Sequence, residues 1–368
     1  MSPVSWSWRG NKDAGEHATS MSDTFTPPPL PPPEGRHGSP TGGRHHANSD
    51  AMWRPTASQS WGAAEIDGST VVPPIVVGAP SPVVEPTVIG GSFKPLPYRP
   101  DTIIDGWTVD GMTVRGASLR GHLHRFNGTP REDDFAIHRL ADGRVIALVA
   151  DGVSQAHQSH IGSAVAVRSA AEWLQTTLPF ETAAADWQHC FASVAWTLNE
   201  QAKGLLGLAQ PDPVATETLL ATTLVCAVIE TTKAGTLRAH LAAVGDSSAW
   251  LLSESSFHDV LQPRDASSAI TSSEVTGLPR VPRTVEPIVV DLHPGEVLLI
   301  GTDGFGDPLG TGEGGVGNLF RQLLGQARPP SQLEFAHALD FSREAFDDDR
   351  TLVAVWPPES RNTQGDMW

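Results

Sequence analysis

Positive charge, cysteine and long apolar runs are all scarce in this 368-residue chain. Lysine occurs only at positions 12, 94, 203 and 233, and the formal net charge is −17. A nucleic-acid binder would normally turn a basic face to phosphates, so that class is set aside. Two cysteines, Cys190 and Cys226, are too few for a disulfide framework. They read as small buried hydrophobes in a reducing compartment. No stretch reaches the length of a membrane span. The opening residues, MSPVSWSWRGNKDAGEH, lack the apolar segment of a secretory signal. A cytoplasmic monomer with no nucleic-acid or membrane partner is therefore the expectation.

What the chain does contain is unevenly placed. Of its 31 prolines, 17 fall in the first 100 residues, in runs such as PPPLPPPEGRHGSP and VVPPIVVGAPSPVVEP. Proline fixes φ and removes a donor, so residues 1–103 read as a disordered Pro-rich leader. The more apolar part, Val71–Val88, could either float or dock as a strap. His37, His45 and His46 read as solvated tail. A second short disordered tail is expected at 358–368.

Between them, residues 104–357 look like one domain. Val145–Ala150 (VIALVA) is an apolar strand. His160–Leu174 and Trp187–Leu208 have helical spacing, with Trp173, Trp187 and Trp196 expected in the core. Strands follow at Ala221–Ile229, Leu237–Val244, Ser248–Leu252, Glu286–Val290 and Val297–Ile300. Helices are expected near Leu319–Leu324 and over Leu333–Phe346, and Thr351–Trp356 closes as a strand. Paired helices between runs of strands predict an α+β fold with antiparallel sheets.

Acidic residues stand at the ends of these strands. Asp151 follows VIALVA, Asp246 follows LAAVG and Asp303 follows VLLIGT. Asp347, Asp348 and Asp349 precede TLVAVW, and Glu132, Asp133 and Asp134 precede Phe135. Each alone reads as a turn residue. Together, carboxylates converging at buried strand ends would repel one another, and hard divalent cations resolve that conflict.

In chain order the sequence gives GASLRGHLHRFNGTPREDDFAI, VADGVSQAHQSHIGSAVAV, ATTLVCAVI, AAVGDSSAWLL, VLLIGTDGFGD and DDDRTLVAV. This series resembles the PPM (type 2C) metal-dependent protein serine/threonine phosphatases, in particular a bacterial branch, over about Val114–Trp356. The resemblance implies two central antiparallel β-sheets forming a sandwich flanked by pairs of α-helices. It also implies hydrolysis of phosphoserine and phosphothreonine by in-line attack of a metal-bridging water, with phosphorylated proteins as substrates and Ser/Thr kinases among the partners.

Carried over residue by residue, Asp133, Asp151, the Gly152 carbonyl, Asp303 and Asp348 would hold two Mg²⁺ or Mn²⁺ ions. Asp307 would help with a weaker third. Asp348 is preferred to Asp349 because Thr351 sets the register. His124 is the candidate acid or hydrogen-bond donor near the leaving oxygen. Arg125 is the candidate phosphate-gripping residue, with Arg131 flanking the same place.

Glu217 stands where some members carry a further aspartate, and Asp246 reads as bonding turn amides. The segment Ser253–Pro287 lies where the family has a variable flap. No Cys-x5-Arg loop is present, which disfavours a thiolate mechanism. The rival reading is the same fold without turnover, as a regulatory or binding module. A two-metal nuclease is disfavoured by the acidic balance.

Overall fold

A strand covered on both faces must be apolar at every position, and Val145–Ala150 meets that condition with all six residues buried. Its pleat divides them. Ile146, Leu148 and Ala150 pack under helices, whereas Val145, Ala147 and Val149 face a second sheet. The computed structural model describes residues 64–66, 69–71, 74–81, 93, 99–261, 277–326 and 328–359. His37, His45, His46 and the middle of the Ser253–Pro287 segment lie outside the described residues.

In chain order the strands begin with β1 (Ala64–Ile66), β2 (Ser69–Val71), β3 (Thr102–Val109) and β4 (Met112–Leu119). Helix α1 (His122–Asn127) leads to β5 (Asp134–Arg139) and β6 (Val145–Ala150), then α2 (Ser159–Thr177), α3 (Trp187–Leu206) and α4 (Pro213–Leu220). Five strands follow: β7 (Leu224–Thr231), β8 (Leu237–Val244), β9 (Ser248–Ser253), β10 (Ser256–Asp259) and β11 (Ile288–Leu292). The chain goes on through β12 (Val297–Gly301), α5 (Asp303–Leu309), α6 (Gly315–Leu324), α7 (Gln332–Leu339) and β13 (Arg350–Trp356).

One sheet has the order β10-β9-β12-β13-β4-β3 and the other β11-β8-β7-β6-β5. Every pairing within them is antiparallel. Val114, Leu298, Ile300, Val353 and Val355 of the first sheet meet Val149, Val225 and Ala227 of the second in a shared core. The outer face of the second sheet packs on α2 and α3 through Leu174, Phe191 and Leu198. The outer face of the first packs on α5, α6 and α7 through Phe305, Phe320 and Phe335. This is the α+β sandwich flanked by helices that the sequence led us to expect. Among the described residues, no helix is long and apolar enough to cross a membrane. Both cysteines are free and buried.

Two expectations need correction. Trp196 is 65% exposed, not core. The buried stripe of α3 is Trp187, Phe191, Val194, Leu198 and Ala202, and position 196 falls off it. The helix expected over Leu333–Phe346 ends at Leu339. Beyond it Phe341 is buried, and Arg350 collects the carbonyls of Leu339 and Phe341, which a longer helix would have used itself, together with that of Phe346.

Segments upstream of residue 104 are bonded to the domain. The strap 74–81 forms a parallel bridge, Val76 with Ser342. The Val77 amide donates to the Ser342 carbonyl (2.9 Å), and the Glu344 amide to that of Ala79 (2.9 Å). Ile75 and Val77 pack against the α5–α7 core. Further along, Arg99 is buried and its guanidinium takes the Arg131 and Asp133 carbonyls and the Asp134 carboxylate.

Candidate metal centre

Strand register brings the acidic residues to one end of the sandwich. In β5–β6, Asp134 pairs with Ala150, which makes Asp133 and Asp151 the next rung. In β12–β13, Gly301 pairs with Leu352, and beyond it the Thr302 amide donates to the Thr351 carbonyl (3.1 Å). Asp303 then opens α5. In β4–β13, Leu119 pairs with Arg350, so Asp349 and Arg120 follow on their strands. Residues far apart in sequence thus meet because their strands end together.

Asp151, Gly152, Asp303 and Asp348 line one pocket of about 460 Å³, with Asp246, Glu217 and Arg280 on its walls. The backbone under Asp151 is tied down. Its carbonyl accepts from the Thr222 hydroxyl (2.7 Å) and the Thr223 amide (2.8 Å), and its amide donates to the Thr223 hydroxyl (2.9 Å). Among the described residues, no hydrogen bond to the Gly152 carbonyl is found. Asp133 lies behind the pocket, 1% exposed, with one carboxylate oxygen accepting from the Thr302 hydroxyl (2.8 Å). Asp307 lies on the other side of Asp303 and Asp348, in a neighbouring pocket of about 200 Å³.

The carboxylates disturb one another. Burial, reinforced by the charges of Asp133, Asp303 and Asp348, pushes Asp151 well above the usual carboxylate range. Burial likewise pushes Asp303 up to about 6, despite a hydrogen bond with Asp151. Asp133 is raised by burial and then by the charges of Asp349 and Asp348, and Asp246 by burial. Hard oxygen donors with one spare carbonyl, crowded until only a proton or a cation relieves them, fit Mg²⁺ or Mn²⁺.

The three consecutive aspartates before β13 part ways. Asp348 is exposed and reaches the pocket. Asp349 turns inward and accepts from the amides of Gly121 (2.6 Å) and Glu132 (2.5 Å). Burial pushes its carboxyl up, but His124 and those amides outweigh burial and hold it below the usual range. His124 Nδ1 stands 2.9 Å from Asp349 Oδ1, too bent for an aligned hydrogen bond, and Nε2 lies 4.0 Å from Asp348 Oδ1. Burial works against a charge on His124, yet Asp349, Glu132 and Asp348 bring it up to about 9. Ligand atoms of His124, Asp348 and Asp349 lie within 4.8 Å of one another. Burial sends Glu132 up to about 7 against the pull of His124.

Arg125 lines neither pocket; it pairs with Asp340 (3.2 Å) and approaches Asp101 (3.9 Å). Arg131 is buried, its guanidinium on Ser118 and the Asp133 carbonyl. Glu217 is held by Arg280. Sequence reasoning passed over two contributors, Thr302 and Arg280, and weighed Asp349 only as the alternative to Asp348. Asp349 is a hub, Thr302 orients Asp133, and Arg280 stands on the pocket wall. For Thr302 the signal was its place directly before Asp303 at a strand end. For Arg280 there was none.

Residues 120–340 match the family model described as protein phosphatase 2C. The chain belongs to that family. Protein phosphatase 2C enzymes are divalent-cation-dependent hydrolases, in keeping with the crowded carboxylates. Comparison with curated proteins finds no match. Among solved structures, a bacterial serine phosphatase is similar at 16% identity and TM-score 0.48, covering 67% of this chain and 98% of its own. The serine/threonine phosphatase of S. agalactiae gives 15%, 0.46, 67% and 99%. Stp1 from Staphylococcus aureus gives 17%, 0.44, 70% and 94%.

One glycine is demanded by this protein phosphatase 2C centre. A Cβ at Gly121 would collide with the backbone of Asp347 and Asp348. Gly121→Ala should cost about 1–3 kcal/mol through overpacking. By displacing the aspartate loop it should also weaken Mn²⁺ binding by roughly 10–100-fold. Urea denaturation and calorimetric Mn²⁺ titration read the two effects separately.

Proposed function

We propose that this protein hydrolyses phosphoserine and phosphothreonine in proteins, in the cytoplasm, with Mg²⁺ or Mn²⁺ held at the strand-end pocket. The convergence of Asp151, Asp303 and Asp348 with the Gly152 carbonyl, which no described residue hydrogen-bonds, is the observation that supports it most directly. Those four groups would hold the principal cations, with Asp133 behind them, and Asp307 would serve a weaker third. When bound, the cations supply a water of lowered pKa and offset charge on the phosphoryl oxygens.

The chain's own residues do the rest. The Thr302 hydroxyl fixes the orientation of Asp133. Asp349, satisfied by two amides, holds the His124 ring beside Asp348. Protonated at neutral pH, His124 donates a proton to the departing serine or threonine oxygen.

One observation favours the rival reading of a binding module without turnover, namely that neither Arg125 nor Arg131 points into the pocket. Hydrolysis of a phosphothreonine peptide by the full chain, with Mg²⁺, with Mn²⁺ and with chelator, separates the two. Turnover that needs a cation supports the phosphatase and ranks the metals. A folded, metal-binding protein without turnover supports the module.

A further inference from the structure

Among the described residues lining the pocket, Arg280 alone has a cationic side chain. The geometry points to Arg280 as the residue that grips the substrate phosphoryl group, with Glu217 holding its guanidinium parked until substrate arrives. This inference rests on the phosphatase reading and supplies the phosphate contact that reading lacks.

Four other arginines among the described residues are committed elsewhere. Arg99, Arg131 and Arg350 are buried and donate to backbone carbonyls, and Arg125 sits on Asp340. Arg280 differs in that it and its partner, Glu217, both line the pocket. Its Nε lies 2.8 Å from one Glu217 carboxylate oxygen and an Nη 2.8 Å from the other. A guanidinium offers that same two-point fork to a carboxylate or to a phosphoryl group. With the side chains 55% and 32% exposed, solvent screens the pair and leaves it weakly held. A dianion next to metal ions can therefore displace the glutamate.

The backbone beneath Arg280 is firmly placed, and its guanidinium is held by Glu217. The Leu278 amide donates to the Thr222 carbonyl (2.8 Å) and the Thr222 amide to that of Leu278 (3.1 Å). The Thr222 hydroxyl in turn donates to the Asp151 carbonyl (2.7 Å). A turn closed by the Arg280 amide on the Gly277 carbonyl (3.1 Å) sets Arg280 two residues beyond this bridge. Glu217 is on α4, whose Val214 and Thr218 complete the same wall. The parked pair thus borders the carboxylates that would hold the cations.

The test compares Arg280→Ala, Arg280→Lys and Glu217→Gln in the Mn²⁺-loaded full chain. It reads KM and kcat on a phosphothreonine peptide and, independently of turnover, calorimetric binding of inorganic phosphate. Arg280→Ala should raise KM and the phosphate Kd by roughly 10–100-fold with little change in kcat, the range for a lost charge-assisted bond. Arg280→Lys should fall between, and it keeps the test valid if the alanine variant misfolds. Glu217→Gln releases the guanidinium, so both constants should drop by about two- to five-fold.

Opposite signs are the mark of gripping. If Arg280→Ala and Glu217→Gln weaken both constants alike, or if neither moves them, Arg280 merely pins the loop and the inference is overturned. If the wild type shows no turnover but phosphate binding still weakens in Arg280→Ala, the gripping role stands and the phosphatase reading fails. No turnover together with unaffected or absent phosphate binding overturns both.

Discussion

Asp151→Asn and Asp303→Asn should each lower phosphatase turnover by roughly 10³-fold or more, and each should make the metal-free protein more stable. The first effect follows from the loss of a carboxylate that would hold the catalytic cations. Several kcal/mol of transition-state stabilisation, at about 1.4 kcal/mol per tenfold, gives that factor. The second follows from the crowding. Asp151 is raised by burial and then by Asp133, Asp303 and Asp348, and Asp303 by burial and then by Asp348, Asp246 and Asp307. An amide at either position removes one of the repelling charges, as is common where function demands a strained site.

Relief of 1–2 kcal/mol would raise the melting temperature by about 2–8 °C for a domain of this size. The same variants should lose most of the rise in melting temperature that Mn²⁺ gives the wild type. Steady-state kinetics on a phosphothreonine peptide and melting curves with and without Mn²⁺ measure all three quantities. Retained turnover in either variant would remove that aspartate from the metal centre.

The largest stability loss should come from Arg99→Ala, at about 3–5 kcal/mol, the range for breaking a buried ion pair from one side. Arg99 Nη1 lies 2.8 Å from Asp134 Oδ2, with the side chains 4% and 6% exposed. Its Nε and other Nη take the Arg131 carbonyl at 3.0 and 2.9 Å, and the latter also takes the Asp133 carbonyl. Without Arg99, the Asp134 carboxylate keeps the Phe135 amide at 3.0 Å and, among the described residues, Arg168 at 3.6 Å as its ion-pair partner. The Arg131 carbonyl would also lose its Arg99 donors, and the Asp133 carbonyl would keep only that from Arg131 among the described residues.

Urea midpoints are the measure. A chain cut to begin at residue 104 should be destabilised at least as much as Arg99→Ala, whereas one cut to begin at residue 74 should not. Replacing Asp134 by Asn in the Arg99→Ala background should recover part of the loss, because it discharges the stranded carboxylate. A change below about 1 kcal/mol in Arg99→Ala would mean that water replaces the guanidinium without penalty.

The strands were legible in the sequence because burial on two faces leaves no choice of residue. Leu237–Val244 has the bounds its apolar pattern gave. The hairpin of β3 and β4 went unread, although Asp110-Gly111 joins strands in which Val109 pairs with Met112. Both turn residues have positive φ, which makes Asp-Gly a strong hairpin signal. Trp196 was misplaced because helical spacing was noted without asking which stripe it served.

At the site, the carboxylates were visible from their positions at strand ends. The partition between Asp348 and Asp349 is set by register, and Thr351 was the clue to it. The arginines could not be sorted from sequence. Arg99 sits among prolines, and whether Arg125, Arg131 or Arg280 meets the pocket depends on which carbonyls and carboxylates lie within reach in three dimensions.

The position of β13 sets a condition on when such an enzyme can begin to act. The strand enters between β12 and β4 in the middle of its sheet, although it comes last in chain order among the described strands. Until residues 350–356 are made and inserted, that sheet is two fragments with unpaired edges, and Asp348 has no fixed place opposite Asp303. Such distant pairing is slow to form and leaves edges open to aggregation. The carboxylate pocket would therefore be assembled only in the single event that seats β13 between its neighbours.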